Sequence, residues 1–248
     1  MFASHVRCQL ARISSRAACS TFSLVVFSAL NHTTHRSAGQ SALGATLLGA
    51  FASLRHVCVD RTLRWMLVSW MLMGFANLMM WPLRVEFLAN PKYGLALNPQ
   101  QIALYTVMIP GIARLVLTPM WGRLFDRMNF FVLRIILNAG FALGIASFFT
   151  GAGAVGLTVG AIIFGAANAG GEIAWNLWVT KFAPAERVAE YMSVHTFFTG
   201  LRGIAAPILA FQLAQTLDIG IIALVCAGFI MLASLILVPE IGLQRRSA

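Results

Sequence analysis

From Arg64 onward the chain alternates long apolar runs with short polar connections. The runs cover approximately 65–88, 100–121, 130–150, 155–179, 192–213 and 218–239. Each holds about 20 residues, enough at 1.5 Å per residue to cross a hydrocarbon layer of about 30 Å. Apolar positions do not alternate with polar ones as in a strand, and the runs are too long for barrel strands. Glycine, proline, serine, threonine and asparagine supply most of the interruptions, which membrane helices tolerate when neighbours satisfy the backbone. The pattern therefore predicts an all-α membrane protein with a six-helix transmembrane bundle over residues 61–240. Residues 241–248 form a short tail.

Charge gives this pattern an orientation. Arg55, Arg61 and Arg64 precede the first run, and Arg123, Arg127 and Arg134 surround the second connection. Lys181 and Arg187 lie between the fourth and fifth runs, and Arg245 and Arg246 follow the sixth. The alternate connections read NPKYGLALN, TGAGAVG and QTLDIG, with Lys92 their one basic residue. By the positive-inside rule both ends of the block face the cytoplasm, in a cell (inner or plasma) membrane.

Composition agrees and closes other routes. Only 10% of residues are charged, 59% are hydrophobic, and mean hydropathy is +0.79. A soluble domain carries roughly a quarter charged residues, so most of this surface must face lipid. The net charge of +10 is scattered and forms no basic face interleaved with aromatics, which argues against nucleic acid. Cys8, Cys19, Cys58 and Cys226 lack the paired spacing of a disulfide framework or a zinc site, and no metal or cofactor is expected.

Residues 1–60 differ from the rest. No acidic residue precedes Asp60, while Arg7, Arg12, Arg16 and Arg36 recur among serines and alanines. Such a leader reads as a transit-like segment, or as one poorly ordered or not native to the fold. Its stretch 38–54 is a marginal apolar segment, long enough to span but poor in large side chains.

The connection WGRLFDRMN, residues 121–129, places an aspartate between two arginines. With its continuation, GRLFDRMNFFVL, it resembles the loop signature of the major facilitator superfamily, roughly G-x-L-x-D-R-x-G-R-K-x-x-L. Gly122, Leu124, Asp126, Arg127 and Leu133 match; Asn129, Phe130 and Phe131 replace its Gly-Arg-Lys end. FAPAERVAEYMSVHTFFTGLRG is similar to the family's connection from the tenth to the eleventh helix, and GLRGIAAP places Gly200, Gly203 and Pro207 as in its glycine–proline helices. The resemblance covers about residues 55–240, six helices of a twelve-helix fold. The degenerate loop, the basic stretch LRHVCVDRTLRW and the nearby tail favour the C-terminal half, as does Glu172 where the first half would carry an arginine. The spans then correspond to helices seven through twelve of a partial chain.

The resemblance implies a gating loop. A carboxylate there would accept bonds from helix N-terminal amides and lock the cytoplasmic side until the halves rock, with Arg123 and Arg127 as electrostatic partners of Asp126. The plainer alternative is that Asp126 caps the third span.

Arg114, Glu172 and Arg202 are read as the ionisable residues well inside spans, about 12–15 Å above the cytoplasmic edge at 1.5 Å per residue. Charges in a membrane interior are costly unless paired or wet, so one acid and two bases at one level suggest a cavity cluster or a structural ion pair. Asn168 and Glu172 share a helix face that Trp175 and Asn176 continue, and Asn77 on the first span would add a contact. Trp70 is a further cavity candidate, while Trp81 reads as an interfacial anchor. His195 reads as a hydrogen-bonded packing residue. Pro110 and Pro119 should kink the second span.

The expected function is secondary active transport by alternating access of a small polar or organic solute, with a proton or sodium ion as the candidate coupling ion. A single bundle would need a second six-helix bundle as partner. A non-transporting regulatory or assembly subunit is the alternative. A membrane-embedded enzyme is disfavoured, because no nucleophile–base pair or inward histidine cluster is evident.

Overall fold

Asp60 starts the first helix: its Oδ1 accepts from the Leu63 amide at 3.0 Å, satisfying a donor that the first turn leaves open. Its Oδ2 accepts from the Tyr191 hydroxyl at 2.8 Å, which ties that start to a helix 131 residues later. The structure, a computed structural model, describes residues 59–151, 153–181 and 183–241. Nearly all of the leader 1–60, with its segment 38–54, and nearly all of the tail 241–248 lie outside the described residues, as do Cys8, Cys19 and Cys58.

Six helices follow: α1 (Arg61–Ala89), α2 (Pro99–Arg127), α3 (Phe130–Thr150), α4 (Gly153–Leu177), α5 (Val188–Thr216) and α6 (Ile219–Leu235). All six are long and apolar enough to cross a membrane, some with short 3₁₀ or irregular extensions, and no strand occurs among the described residues. The expected bundle over 61–240 is therefore present as six helices. Asn98 opens α2 with a capping box, its side chain accepting from the Gln101 amide while Gln101 returns a bond to the Asn98 amide. Asn129 caps α3 through the amides of Phe131 and Val132, and Asp218 caps α6 through Gly220. These polar residues end each turn in the short connections between oily helices.

Pro110 does shape α2. Lacking an amide hydrogen, it sits just after a π-helical turn, Leu104–Met108, where the Ile109 amide reaches back five residues to the Leu104 carbonyl. Pro110 is buried and its carbonyl lies against Gly165 of α4, where an added Cβ would fall 2.4 Å away. Pro119, further along α2, is exposed.

Helix neighbours run in the order α2, α4, α3, α6, α1, α5. Exchanging the first three helices for the last three (α1 with α4, α2 with α5, α3 with α6) turns this order into its own reverse. The order is thus symmetric between two three-helix units, and its main contacts run from one unit to the other. Three crossings each would make the second unit enter a membrane from the opposite side to the first. Another close approach is at α3 and α4, where Gly144 and Gly160 abut the backbones of Phe164 and Phe148. α1 and α4, in contrast, are bridged by large side chains: Arg84 stacks on Phe164, and Trp70 meets Trp175 and Trp178.

The ends of the order, α2 and α5, bury little. Ile112, Leu115 and Val116 on α2 and Leu201, Ile204 and Ile208 on α5 are all exposed. On the opposite side α1 is anchored to α6: the Ser69 hydroxyl donates to the Ala233 carbonyl at 2.8 Å, and Arg61 pairs with buried Glu240 at 3.4 Å.

The glycine crossing makes a direct prediction. A Cβ at Gly160 would lie 2.5 Å from the Phe148 amide nitrogen, whereas one at Gly203 would meet nothing within 4 Å. Gly160→Ala should destabilise the bundle by about 1–3 kcal/mol, the usual cost of overpacking, and Gly203→Ala by far less. Thermal unfolding of the detergent-solubilised chain reads both; equal effects would contradict the crossing described here.

Candidate functional site

Two sets of polar groups stand out within this oily bundle. The first is an ion pair between α2 and α4. Arg114 Nη1 lies 2.9 Å from Glu172 Oε1, and the side chains are 47% and 51% exposed. Two of the three charges expected at one height, Arg114 and Glu172, therefore meet on a face bounded by the poorly buried α2, and the third, Arg202, does not join them. Asn176, one turn after Glu172, is exposed on the same helix and donates from Nδ2 to the Glu172 carbonyl at 2.9 Å. Asn168 and Trp175, a turn to either side of Glu172, are half-buried.

Arg202 joins a different set. Its Nη1 donates to the carbonyl of Trp70 on α1, and its Cζ lies 5.2 Å from the Trp175 ring centre. The approach is possible because residue 74 is glycine: a Cβ there would fall 1.9 Å from Arg202 Nη1. Trp70, Trp175, Trp178 and His195 form a compact aromatic cluster, with His195 at 4.1 Å from Trp175 and 5.4 Å from Trp70 between ring centres. His195 is buried, and its Nδ1 accepts from Trp178 Nε1 at 3.2 Å.

The cluster includes a residue that the sequence reading counted only as a topology charge flanking the second connection. Arg134 is fully buried on α3, with its guanidinium carbon 3.4 Å from the centre of the Trp70 ring. Asn138, one turn along, is also fully buried. A second such arginine, Arg84, lies in the C-terminal half of α1, 3.4 Å from the Phe164 ring centre and 5.0 Å from that of Phe148. The signal for Arg134 was present in the spacing: Phe130, Leu133, Arg134, Leu137, Asn138 and Phe141 recur at helical intervals and are buried together. Arg84 was passed over because it stands near the end of its run.

The remaining sequence candidates are placed as follows. Asn77 is half-buried on α1, with its Oδ1 lacking a hydrogen-bond partner, and Trp81 is exposed. Arg123, Asp126 and Arg127 are exposed in the last turn of α2, and Gly122 has open space around it. The cap of α3 belongs to Asn129, so the plainer alternative for Asp126 gives way to its neighbour. Gly200 and Gly203 also face open space, and Pro207 is half-buried inside α5. Among the described residues no three His, Cys, Asp or Glu side chains come together as metal ligands would.

Six long apolar helices around buried and face-exposed charges define a multi-pass membrane helical bundle. Comparison with known protein families, curated proteins and solved structures finds no match to the chain.

The fit of Arg202 over Gly74 can be tested as a pair. Gly74→Ala should push the guanidinium off the Trp70 carbonyl and cost about 1.5–3 kcal/mol, the range for a hydrogen bond to a charged group. In an Arg202→Ala background the same change should cost little, because the space is then free. Additive effects in a double-mutant unfolding cycle would refute the contact.

Proposed function

We propose that this chain is a six-helix unit of a secondary transporter of the major facilitator type, and that its α2–α5 side meets a second six-helix bundle around the solute path. The observation that carries this reading is the Arg114–Glu172 pair, placed half-exposed on membrane-length helices beside the least buried helix of the bundle. Ionised groups in such helices ordinarily turn inward or toward water. A pair left half-open on one bundle is accounted for if that side borders a wet path between two bundles.

Two further features support it. The packing order is symmetric under exchange of the first three helices with the last three, and inverted three-helix repeats nested in each six-helix half belong to the architecture of this transporter class. The loop signature around Asp126 falls on the exposed end of α2 and its short link to α3, where a neighbouring bundle has access to it. Glu172, Arg114, Asn176 and Asn168 would line the path, Trp175 would form part of its wall, and Asp126 with Arg123 and Arg127 would gate its cytoplasmic end. Rocking of two bundles would break and remake the contacts of that loop, opening the path to one side at a time.

Reconstitution into proteoliposomes with a panel of radiolabelled polar metabolites tests the reading. Uptake above that of empty vesicles, lost in Glu172→Gln with the protein still assembled, is the expected result. No uptake of any solute by the chain, alone or with a co-expressed six-helix partner, would favour a non-transporting subunit instead.

A further inference from the structure

The cluster around Trp70 has an imbalance that the packing of the bundle leaves unresolved. Arg134 and Arg202 repel each other, and both bear on His195 with the same sign. No Asp or Glu pairs with either arginine among the described residues; Glu172 is taken by Arg114. A fully buried cation, Arg134, and a half-buried one, Arg202, thus share one cluster of a membrane-type bundle without a counter-charge. A buried cation without a partner is strongly destabilising, and stacking on a ring recovers only part of that cost.

The unmet hydrogen-bonding groups point the same way. The buried polar atoms without partners include all three guanidinium nitrogens of Arg134, Nε of Arg202, Nε1 of Trp70 and Nε2 of His195. Since His195 Nδ1 accepts from Trp178, Nε2 carries the hydrogen in the neutral ring. Every one of these groups is a donor, and each belongs to Trp70 or to a side chain in contact with it. Buried donors are ordinarily satisfied, so a run of them on three helices calls for a group that only accepts. Asn138, buried one turn from Arg134 with both amide atoms unpartnered, adds one more donor and one acceptor from α3.

We propose that Arg134, Arg202 and His195, with the walls Trp70, Trp175 and Trp178, form a binding site for an organic carboxylate. An ionised carboxylate is acceptor-only, matches a guanidinium fork and supplies the missing negative charge. The indole walls select a compact apolar or aromatic body behind that group rather than a heavily hydrated inorganic ion. The site is separate from the Arg114–Glu172 pair, whose charges already balance. It does not depend on the transport reading, although it would give that reading a substrate class. A chain that binds the carboxylate but moves no solute would retire the transport proposal and leave this site standing.

The test uses three molecules of nearly one shape and different charge: benzoate, benzamide and benzamidine. Each is titrated into the full detergent-solubilised chain, with tryptophan emission and thermal unfolding as readouts, since a ligand of the folded state raises the unfolding temperature. Benzoate should quench saturably and stabilise, benzamide should bind at least about tenfold more weakly, the equivalent of one lost charge-assisted contact, and benzamidine should not bind. Arg134→Gln and Arg202→Gln should each weaken benzoate about tenfold or more and weaken benzamide by a smaller factor, since its neutral carbonyl loses no charge-assisted contact. Arg202 is only partly buried, so its variant should assemble even if that at Arg134 does not. Equal binding of the three molecules, no response to benzoate, displacement of benzoate by millimolar chloride, or wild-type benzoate affinity in Arg202→Gln would each overturn the proposal.

Discussion

Charge inside an oily bundle is the constraint on which the rest of this structure depends. Water cannot follow a guanidinium into hydrocarbon, so each ionised side chain needs a partner, a ring face or a wet border. Three arrangements result here. Arg84 lies among the phenylalanine rings of α3 and α4. Arg134 and Arg202 gather around Trp70. Arg114 takes the carboxylate of Glu172 at the edge of the fold. Helix placement and charge placement are thus one problem, because each arginine occupies a gap between helices.

Glycines decide where those gaps occur. At Gly144 and Gly160 they let α3 and α4 touch backbone to backbone, and at Gly165 they admit the Pro110 carbonyl of α2. Where α1 faces α4 there is no such close approach, and tryptophans and an arginine fill the interval. Gly74 is the meeting point of the two strategies, since its missing side chain is the room that Arg202 occupies. Exposed apolar residues on α6, among them Leu224, Val225 and Leu232, form a greasy outer side, while the α2–α4 border carries Glu172 and Asn176. The bundle therefore has two unlike sides.

Most of the architecture was legible in the chain because it rests on a single strong signal, runs of apolar residues long enough to span. The equal heights of Arg114 and Glu172 were legible too, although the same argument placed Arg202 with them and Arg202 lies elsewhere. What was hidden had specific causes. The partner of Arg202 is a backbone carbonyl, which no residue pattern announces. Arg134 sits in the first turns of α3, so its charge read as a topology signal for the adjoining loop, although its spacing with Leu137, Asn138 and Phe141 belongs to a buried face. Asp126 drew attention as a gating residue, with capping of the third span as the plainer alternative, and Asn129, three residues on, performs the capping.

The account rests on the Glu172 side being wet and the α6 side being greasy. Single cysteines at Asn176 and Leu224, in a chain cleared of its native cysteines, measure this directly by labelling with a membrane-impermeant maleimide in lipid vesicles. The account predicts that the cysteine at 176 reacts and the one at 224 does not. Protection of both positions, or faster reaction at 224, would contradict it.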